Sequence, residues 1–406
     1  MPSARQLALD LLLQWDKSDA YADALLAEVD RRRPLCAADR ALLQGLVFGV
    51  LRHASLLDHW IDHLRGRGRL RAGPRWILRL GLYQLLKLEV PAHAAVNETV
   101  RLAGREKSLI NAILRRALRE KEQLLALADQ APPAIRHSLP KFLVDRWVAR
   151  FGFEDFERLS RIVNQPAEIF VRLNRLKADV GPPAGESVDA APDFYRVKTI
   201  PRELLRTGHG YVQDPSTAVA PALLAPRSGE TVLDAFAAPG GKSAIMAQTM
   251  ENGGRLVASD ASLSRLERLQ ENLARLGVTC AELRLIDWSE PAPADFPLCD
   301  AILLDVPCSN TGVMRRRVDV RWRVTPDTIR KMAEMQFSLL KNVALVLKPG
   351  GRLVYSTCSI EPEENELQIQ RLQKEFPHLR LIESCLLLPH KTGFDGGFAA
   401  LFVADG

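Results

Sequence analysis

The chain has 406 residues, of which 26% are charged and 47% hydrophobic, a composition typical of a soluble globular protein with two or three domains. No apolar run is long enough to cross a membrane, six cysteines are too few for a disulfide framework, and their scatter without a CxxC pair argues against structural zinc. The net charge is +6, and residues 1–140 carry the excess, with 22 Lys and Arg against 15 Asp and Glu. That excess suits either a polyanionic partner such as nucleic acid or a solvated helical surface. We expect a cytoplasmic protein without a metal, and a monomer because no exposed apolar repeat is evident.

Residues 1–135 are predicted to form an all-helical domain. Apolar residues recur at three- and four-residue spacing in LALDLLLQW, DRALLQGLVFGVLRHASLLDHWI, RWILRLGLYQLLKL and SLINAILRRAL. Arginines cluster between these segments, as in RGRGRLR at 65–71. The pattern predicts a compact bundle with basic connections.

Residues 136–225 are predicted to contain linker helices and a small α+β subdomain that binds RNA. The Pro-rich stretch APPAIRHSLP marks the preceding boundary. EIFVRLNRLK is predicted to include a short strand in which Arg172 and Asn174 share one face, with Lys177 following. A Gly- and Pro-rich loop occupies 180–193, and the sequence gives it no role.

Residues 226–406 are predicted to form an α/β domain with a doubly wound, mainly parallel sheet. Strands are predicted at TVLDAF, RLVASD, AELRLID, AILLDV and GGRLVYS, with helices such as LSRLERLQENLARLG between them. Ligands of such sheets bind beyond the carboxyl ends of the strands. The functional site is therefore expected at that edge.

A glycine-rich turn follows the first of these strands. In DAFAAPGGKSA, 234–244, Phe236 stands where a P-loop needs glycine, and the GxGxxG pattern of dinucleotide sites is absent. Asp260 ends the second strand and Asp287 the third, where acids can bind ribose hydroxyls and an adenine edge. The arrangement fits a nucleoside without a phosphate chain, such as S-adenosylmethionine, although each acid alone could equally cap a helix.

Two cysteines lie in polar turns directly after predicted strands. Cys308 follows the strand that ends at Asp305, and Cys358 follows LVYST. A thiolate that adds to carbon-6 of a pyrimidine activates carbon-5 toward a methyl sulfonium. The same chemistry asks for a carboxyl group beside the ring and for a group that helps the thiol to leave. These three residues form a candidate set, but their spacing does not decide which thiol is the nucleophile.

The motifs that contain these residues resemble a known family. AAPGGK, DVPCSNTG and YSTCSIEPEENE together resemble the RNA cytosine-5 methyltransferases, as do RLNRLKAD at 172–179 and YVQDPSTAVAPALL at 211–224. The N-terminal third, with ADRALLQGLVFGVLRH, VNETVRLA and LINAILRRAL, resembles the NusB-like RNA-binding domain. This fusion is characteristic of the Sun/Fmu family, the bacterial 16S rRNA cytosine-5 methyltransferases of the B type.

The resemblance implies a Rossmann-like class I methyltransferase fold and a role for each site residue. Cys358 would be the nucleophile, and Cys308 would assist release of the methylated product. Asp305 would contact the cytosine, and Lys242 would position the base or the cofactor. The glycine-rich turn would hold the methionine part of S-adenosylmethionine. The cofactor-binding set implied in this way is Phe236, Ala237, Ala238, Pro239, Gly240, Gly241, Lys242, Asp260, Asp287 and Asp305.

Two basic segments are predicted to contact RNA. One is the strand region with Arg172, Asn174 and Lys177. The other is MRRRVDVRWR, 314–323, in which arginines surround an indole. Arginines beside an aromatic ring suit phosphate neutralisation and base stacking, although a solvated basic loop has the same composition. The predicted RNA-binding residues of this segment are Arg315, Arg316, Arg317 and Trp322.

The sequence therefore predicts methylation of carbon-5 of a cytosine in 16S rRNA, either naked or in a partly assembled particle. The target base must leave its stack to reach a buried thiol. A tRNA substrate is the competing prediction, because only the NusB-like region favours rRNA. A non-catalytic RNA-binding factor would not need Asp305, Cys308 and Cys358 together. An amino-group methyltransferase would need a D/N-P-P-Y turn where this chain has DVPC.

Overall fold

The structure is a computed structural model that describes residues 3–66, 70–88, 90–177 and 181–406. Parts of three predicted features lie outside the described residues, namely 67–69 of the arginine cluster, 178–179 of RLNRLKAD and 180 of the Gly/Pro loop. The chain divides into two compact units. The first holds the described residues up to Gln165 together with Met314–Arg323, and the second holds Pro166–Val313 and Val324–Gly406.

The first unit is a bundle of helices whose apolar faces turn inward, as the three- and four-residue spacing predicts. Its fully buried side chains include Leu12, Leu46 and Trp60. Its helices in the N-terminal part of the chain are α1 (Ala4–Trp15), α2 (Ala22–Arg32), α3 (Ala37–Arg52), α4 (Ala54–Arg65), α5 (Ala72–Leu86), α6 (Ala92–Arg101), α7 (Lys107–Arg119), α8 (Lys121–Gln130), α9 (Pro133–Arg136) and α10 (Lys141–Val163).

The remaining elements include all the strands together with the helices that connect many of them. They are β1 (Ile169–Leu173), β2 (Glu186–Ser187), β3 (Phe194–Val197), α11 (Arg202–Arg206), β4 (Gly210–Val212), α12 (Val219–Leu224), β5 (Thr231–Asp234), α13 (Gly241–Thr249), β6 (Arg255–Asp260), α14 (Leu263–Leu276), β7 (Ala281–Leu285), β8 (Cys299–Asp305), α15 (Val320–Arg323), α16 (Pro326–Ala344), β9 (Leu347–Thr357), α17 (Glu366–Glu375), β10 (Leu379–Leu387), α18 (Pro389–Thr392) and β11 (Gly397–Ala404). Of these, α15 belongs to the first unit.

A seven-stranded sheet organises the second unit, in the order β10-β11-β9-β8-β5-β6-β7. The five strands from β9 to β7 are parallel, and β11 pairs antiparallel with both β9 and β10. The predicted α/β fold with a mainly parallel sheet is thus confirmed. A separate four-stranded antiparallel sheet, β2-β3-β1-β4, precedes it in the chain.

The two units do not follow the predicted boundaries. Helix α10, which lies in the region 136–225 predicted to hold linker helices and a small α+β subdomain, belongs to the first unit, and so does 314–323, expected in the α/β domain. Side-chain packing explains why 314–323 belongs to the first unit, because Val318 is part of the core of the helical bundle. Within the part of the chain that the structure describes, no helix combines the length and the apolar character needed to cross a membrane.

Candidate active site

The two cysteine turns begin at the same edge of the large sheet. Strands β8 and β9 run parallel with Asp305 opposite Ser356, so both strands deliver their next residues to the carboxyl edge. Cys308 and Cys358 meet there, with their sulfur atoms 2.8 Å apart. The Cys358 thiol also donates to Asn310 Oδ1 at 3.2 Å. The structure therefore brings together the two thiols that the sequence singles out.

The carboxylate of Asp305 is held from two sides. Lys242, at the start of α13, donates from Nζ to Oδ2 at 2.7 Å, and the Ser356 hydroxyl donates to Oδ1 at 2.5 Å. Burial acts to lower the pKa of Lys242, but the charge of Asp305 and the hydrogen bond to it outweigh that effect and raise the pKa. Lys242 therefore stays an ammonium group beside an oriented carboxylate.

A cavity of about 70 Å³ opens onto these groups. Lys242, Asp305 and Cys358 line it together with residues 216–217 and 395–399. Cys308 is not part of this lining, and only 7% of its surface is exposed. Of the two thiols, Cys358 is thus the one that faces the cavity.

Cys308 retains its proton more strongly than an ordinary cysteine. Its hydrogen bond to Cys358, burial, and the charges of Cys358 and Glu364 together raise its pKa well above the usual value. A thiolate is the nucleophilic form of cysteine, so Cys308 is poorly suited to attack while Cys358 lies beside it.

The glycine-rich turn connects β5 with α13 and is fixed to the neighbouring strand. Ala237 N–H donates to Ser259 O at 2.9 Å, which holds the turn against the end of β6. Gly240 has φ +104°, and a Cβ atom there would lie 2.8 Å from Leu269 Cδ1. The backbone conformation therefore favours glycine at this position. Beneath the turn, the Ser243 hydroxyl donates to Asp234 Oδ2 at 2.6 Å.

The two predicted cofactor acids differ in their surroundings. Asp260 is buried, and its Oδ1 accepts from Ser262 N–H at 3.0 Å. Its Oδ2 has no hydrogen-bond donor among the described residues, although the Arg265 guanidinium lies 3.3 Å away. Asp287 is exposed, and its carboxylate accepts from the backbone and hydroxyl of Ser289, which lowers its pKa. A buried acceptor beside the turn is what a ribose hydroxyl requires.

Comparisons with known proteins identify the family. Residues 221–402 match the family described as "16S rRNA methyltransferase RsmB/F", and residues 2–119 match the NusB family. The chain is 35% identical over 400 residues to the probable ribosomal RNA small subunit methyltransferase B of Synechocystis, covering 92% of this chain and 90% of that protein. The chain belongs to the RsmB/F family of 16S rRNA methyltransferases. Its predicted fold class and its predicted methyltransferase class are thereby confirmed.

Two further relatives support the same assignment. The probable ribosomal RNA small subunit methyltransferase B of Bacillus subtilis is 32% identical, with 98% of this chain and 97% of that protein covered. A crystal structure of a methyltransferase homolog from Pyrococcus horikoshii is 30% identical, with a TM-score of 0.60, and covers 68% of this chain and 100% of its own. The family likeness therefore extends over both units of the chain.

The sequence pattern alone does not indicate several residues of this RsmB/F site. Ser356 orients Asp305, and Gln336 and Glu364 support the two cysteine turns from below. Glu364 lies within YSTCSIEPEENE, so its motif was recognised but its contacts were not. Gln336 lies on α16, where it reads as one polar residue of an amphipathic helix.

Two predicted RNA contacts of the small sheet are instead buried. Arg172 is 2% exposed, and its guanidinium donates to Gln213 Oε1 and Gln248 Oε1 at 3.1 and 3.0 Å. Asn174 is 5% exposed, and its amide donates to Gly208 O and Leu276 O. These side chains fasten the strand to its surroundings, which corrects the expectation that they face RNA. Lys177, half-buried beside them, stays a predicted RNA contact.

The arginine-rich segment is also partly built into the fold. Arg315 is 7% exposed, and the Trp322 indole donates to Leu51 O at 2.7 Å while its ring packs against the helical core. The burial of Arg315 corrects the expectation that its side chain is presented to RNA, whereas half-buried Trp322 stays a predicted RNA contact. Arg316 is half-buried and Arg317 is exposed, and both stay predicted RNA contacts.

Proposed function

We propose that this protein methylates carbon-5 of a cytosine in 16S rRNA, using S-adenosylmethionine, through a covalent bond between Cys358 and the base. The observation that carries the proposal is the pair of thiols 2.8 Å apart beside the Lys242–Asp305 ion pair. A simple methyl transfer to nitrogen or oxygen needs no thiol, whereas addition to carbon-6 of a pyrimidine needs one. The names of the relatives support rRNA of the small subunit as the substrate.

The first step is assigned to Cys358 because it faces the cavity. Its sulfur forms a bond to carbon-6, and the electron pair of the 5,6 double bond becomes available at carbon-5. Asp305 lies where it can accept a hydrogen bond from the amino edge of the cytosine, and Lys242 keeps that carboxylate in place. Bound S-adenosylmethionine supplies a methyl group as a sulfonium electrophile.

The release step is assigned to Cys308. Carbon-5 must lose its hydrogen as a proton while the bond between carbon-6 and the Cys358 sulfur breaks. The hydrogen bond to Cys358 and the charge of Cys358 are among the causes that raise the pKa of Cys308. Once Cys358 is bonded to the cytosine, its charge is gone. The pKa of Cys308 therefore falls at the stage at which a proton acceptor is needed. Cys358 thus acts first as the nucleophile, and Cys308 acts later as the proton acceptor.

The residues around the first turn fit the cofactor. Asp260 offers a buried oxygen without a hydrogen-bond donor among the described residues, which suits a ribose hydroxyl. We assign the methionine part to the glycine-rich turn, which Gly240 holds in a positive-φ conformation between β5 and α13. We assign the exposed Asp287 to the adenine side, and Phe236, Ala237, Ala238 and Pro239 to the wall of the same site.

Phosphate contacts are proposed for Lys177 in the second unit and, separately, for Arg316 and Arg317 in the first unit. Counter-ion release from the phosphates provides the driving force, so the affinity should fall with salt. We further propose that the protein acts in the cytoplasm as a monomer, on naked or partly assembled 16S rRNA.

A denaturing gel tests the covalent step. The variants Cys308→Ser and Cys358→Ser are each mixed with S-adenosylmethionine and unmodified 16S rRNA, with tRNA in parallel. We expect a covalent protein–RNA band from Cys308→Ser alone and with rRNA alone. Cys385→Ser, a half-buried cysteine on β10, is the matched control and should leave methylation unchanged.

Each other pattern contradicts a defined part of the proposal. A band from Cys358→Ser would exchange the roles of the two thiols. A band with tRNA would change the substrate. If both variants still methylate rRNA and neither one traps it, the covalent mechanism is wrong.

A further inference from the structure

Glu364 is a buried acid directly beneath the two cysteine turns. It ends the short 3₁₀ turn Pro362–Glu364 that follows β9, and its surface is 0% exposed. Neither the glycine-rich turn nor the cavity contacts it. Nothing in the chemistry proposed above requires an acid at this position.

The carboxylate of Glu364 gathers hydrogen bonds from both turns. Oε2 accepts from the backbone N–H of Ser309 at 2.8 Å, and Oε1 accepts from the Ser309 hydroxyl. Oε1 also accepts from the Ser359 hydroxyl at 2.7 Å. Ser309 directly follows Cys308 and Ser359 directly follows Cys358, so a single carboxylate holds the neighbours of both thiols.

A helix completes this network. Gln336, fully buried on α16, donates from Nε2 to Glu364 Oε2 and to Pro307 O, at 2.9 Å each. Pro307 directly precedes Cys308, so the Cys308 turn is held on both sides of the thiol. The Ser309 and Ser359 hydroxyls also lie 3.1 Å from each other. The spacing of the two turns is therefore fixed through groups that never reach the cavity.

A merely structural reason for this acid is weak. Burying a carboxylate costs several kcal/mol of solvation, and well-packed apolar side chains would fill the same space at least as favourably. What a carboxylate adds is four acceptor positions that can take donors from several segments at once. Here those donors come from the two turns that carry the thiols.

We propose that Glu364 is a positioning residue that holds Cys308 against Cys358 and thereby serves the release step. The proposal rests on the covalent mechanism proposed above. Addition to the base needs Cys358 alone, whereas release needs both sulfur atoms at a fixed separation. Loss of the carboxylate should therefore slow release more than addition.

The test is Glu364→Gln with both cysteines intact. The amide keeps the volume but presents N–H donors where the carboxylate accepts. We expect turnover to fall about 10- to 100-fold, the factor that corresponds to losing hydrogen bonds to a buried charge. Meanwhile, the covalent protein–RNA band that we expect with Cys308→Ser should also accumulate with Glu364→Gln. Affinity for S-adenosylmethionine and for rRNA should be unchanged.

Two further variants separate positioning from general damage. Tyr355→Phe removes a hydroxyl that lies 2.7 Å from Glu364 O and 3.2 Å from Gln336 Oε1, so it loosens the surroundings of the carboxylate without removing any of the carboxylate's own hydrogen bonds. It should accumulate no band. Ser309→Ala removes only one of the hydrogen bonds to the acid and should show the Glu364→Gln behaviour in weaker form, even if Glu364→Gln does not fold.

A double variant decides the result. If Glu364 acts through Cys308, the double variant Glu364→Gln/Cys308→Ser should trap no more RNA than Cys308→Ser alone, because effects in one pathway do not add. The positioning role would be overturned if the effects of the two substitutions added in the double variant. It would also be overturned if Glu364→Gln were slow without accumulating the covalent protein–RNA band. Failure of Cys308→Ser itself to trap RNA would instead overturn the covalent mechanism, and the role of Glu364 with it.

Discussion

At the scale of single residues, the site depends on how two adjacent thiols share their protons. Cys308 and Cys358 lie 2.8 Å apart, and their hydrogen bond is the largest cause of the raised pKa of Cys308. A neighbour that accepts a hydrogen bond from a thiol stabilises its protonated form. Removal of that neighbour should therefore make the remaining thiol more acidic, even though it stays buried.

This reasoning predicts the labelling behaviour of Cys308. In the wild-type protein, Cys308 should react with iodoacetamide only at pH values well above those at which an ordinary cysteine reacts. In Cys358→Ala, the pH at which its labelling reaches half its maximal rate should move downward, because the hydrogen bond and the Cys358 charge are both lost. Peptide mass spectrometry after brief labelling measures this pH. Exposed Cys36 serves as the internal control and should label identically in both proteins.

At the scale of elements, strand β5 ends in an acid that the fold keeps from ionising. Asp234 is 1% exposed, and burial raises its pKa to about 7, although a hydrogen bond from Ser243 opposes the shift. Between the unfolded pKa near 4 and this value, the folded state binds more protons than the unfolded state. The stability contribution is thus fully present at low pH and is lost as pH rises through 7.

We therefore predict that Asp234→Asn removes a pH-dependent penalty. Relative to wild type, its unfolding midpoint should rise between pH 5 and pH 8 by an amount that corresponds to at most about 3 kcal/mol, because the interval from pH 5 to the folded pKa of about 7 spans two pH units at roughly 1.4 kcal/mol each. Thermal unfolding at the two pH values measures this difference. The amide oxygen can still accept from Ser243, so the local hydrogen bond is retained.

Asp300→Asn is the matched control, because Asp300 lies near the start of β8, the strand that pairs with β5. Although burial opposes it, the hydrogen bonds from Lys348 and Thr231 lower the pKa of Asp300, so this residue is ionised in both states between pH 5 and 8. Its variant should differ from wild type by the same amount at both pH values. If the stability difference from wild type changed equally with pH in both variants, Asp234 would not be the source of the pH dependence.

The sequence was informative about those elements whose pattern is local. The five parallel strands are short apolar runs between amphipathic helices, and their carboxyl ends place Asp260, Asp305 and Cys358 at one edge. Strand β10 was missed because its buried positions do not alternate, with Glu383 and Ser384 interrupting it at a register shift. Strand β11 was missed because its short apolar run has no helical or strand period to distinguish it.

Contacts across large sequence separations could not be predicted in this way. Glu364, Gln336 and Ser309 come from three separate segments, and only the folded chain shows that one carboxylate joins them. Arg172 shows the opposite error, a contact that the sequence predicts and the structure does not show. An arginine in a strand suggests a nucleic-acid contact when its buried partners are unknown.

At the scale of the whole molecule, the helical unit is completed by a segment distant in sequence. Asp319 is 2% exposed and accepts from Trp15 Nε1–H at 2.9 Å and from Ala22 N–H at 2.7 Å. Arg321 is fully buried, and it donates to Arg52 O at 3.1 Å and to Asn164 Oδ1 at 2.6 Å. The segment Met314–Arg323 is therefore part of the helical bundle.

This architecture predicts where a substitution in the middle of the methyltransferase sequence will act. Asp319→Ala leaves the Trp15 and Ala22 donors without their acceptor, at a cost of about 1–3 kcal/mol for each buried group. Amide hydrogen exchange should therefore accelerate in α1 and α2, which lie some 300 residues away in sequence. Protection of β5 and β6 should not change.

Asp327→Ala provides the comparison, because this acid lies four residues beyond the segment and pairs only with exposed Arg330 and Lys331. Exposed ion pairs contribute little to stability, so its exchange pattern should match that of wild type. Faster exchange of β5 and β6 in Asp319→Ala, with α1 and α2 unaffected, would place the segment in the second unit. Loss of protection confined to the helical bundle is the result that its buried hydrogen bonds require.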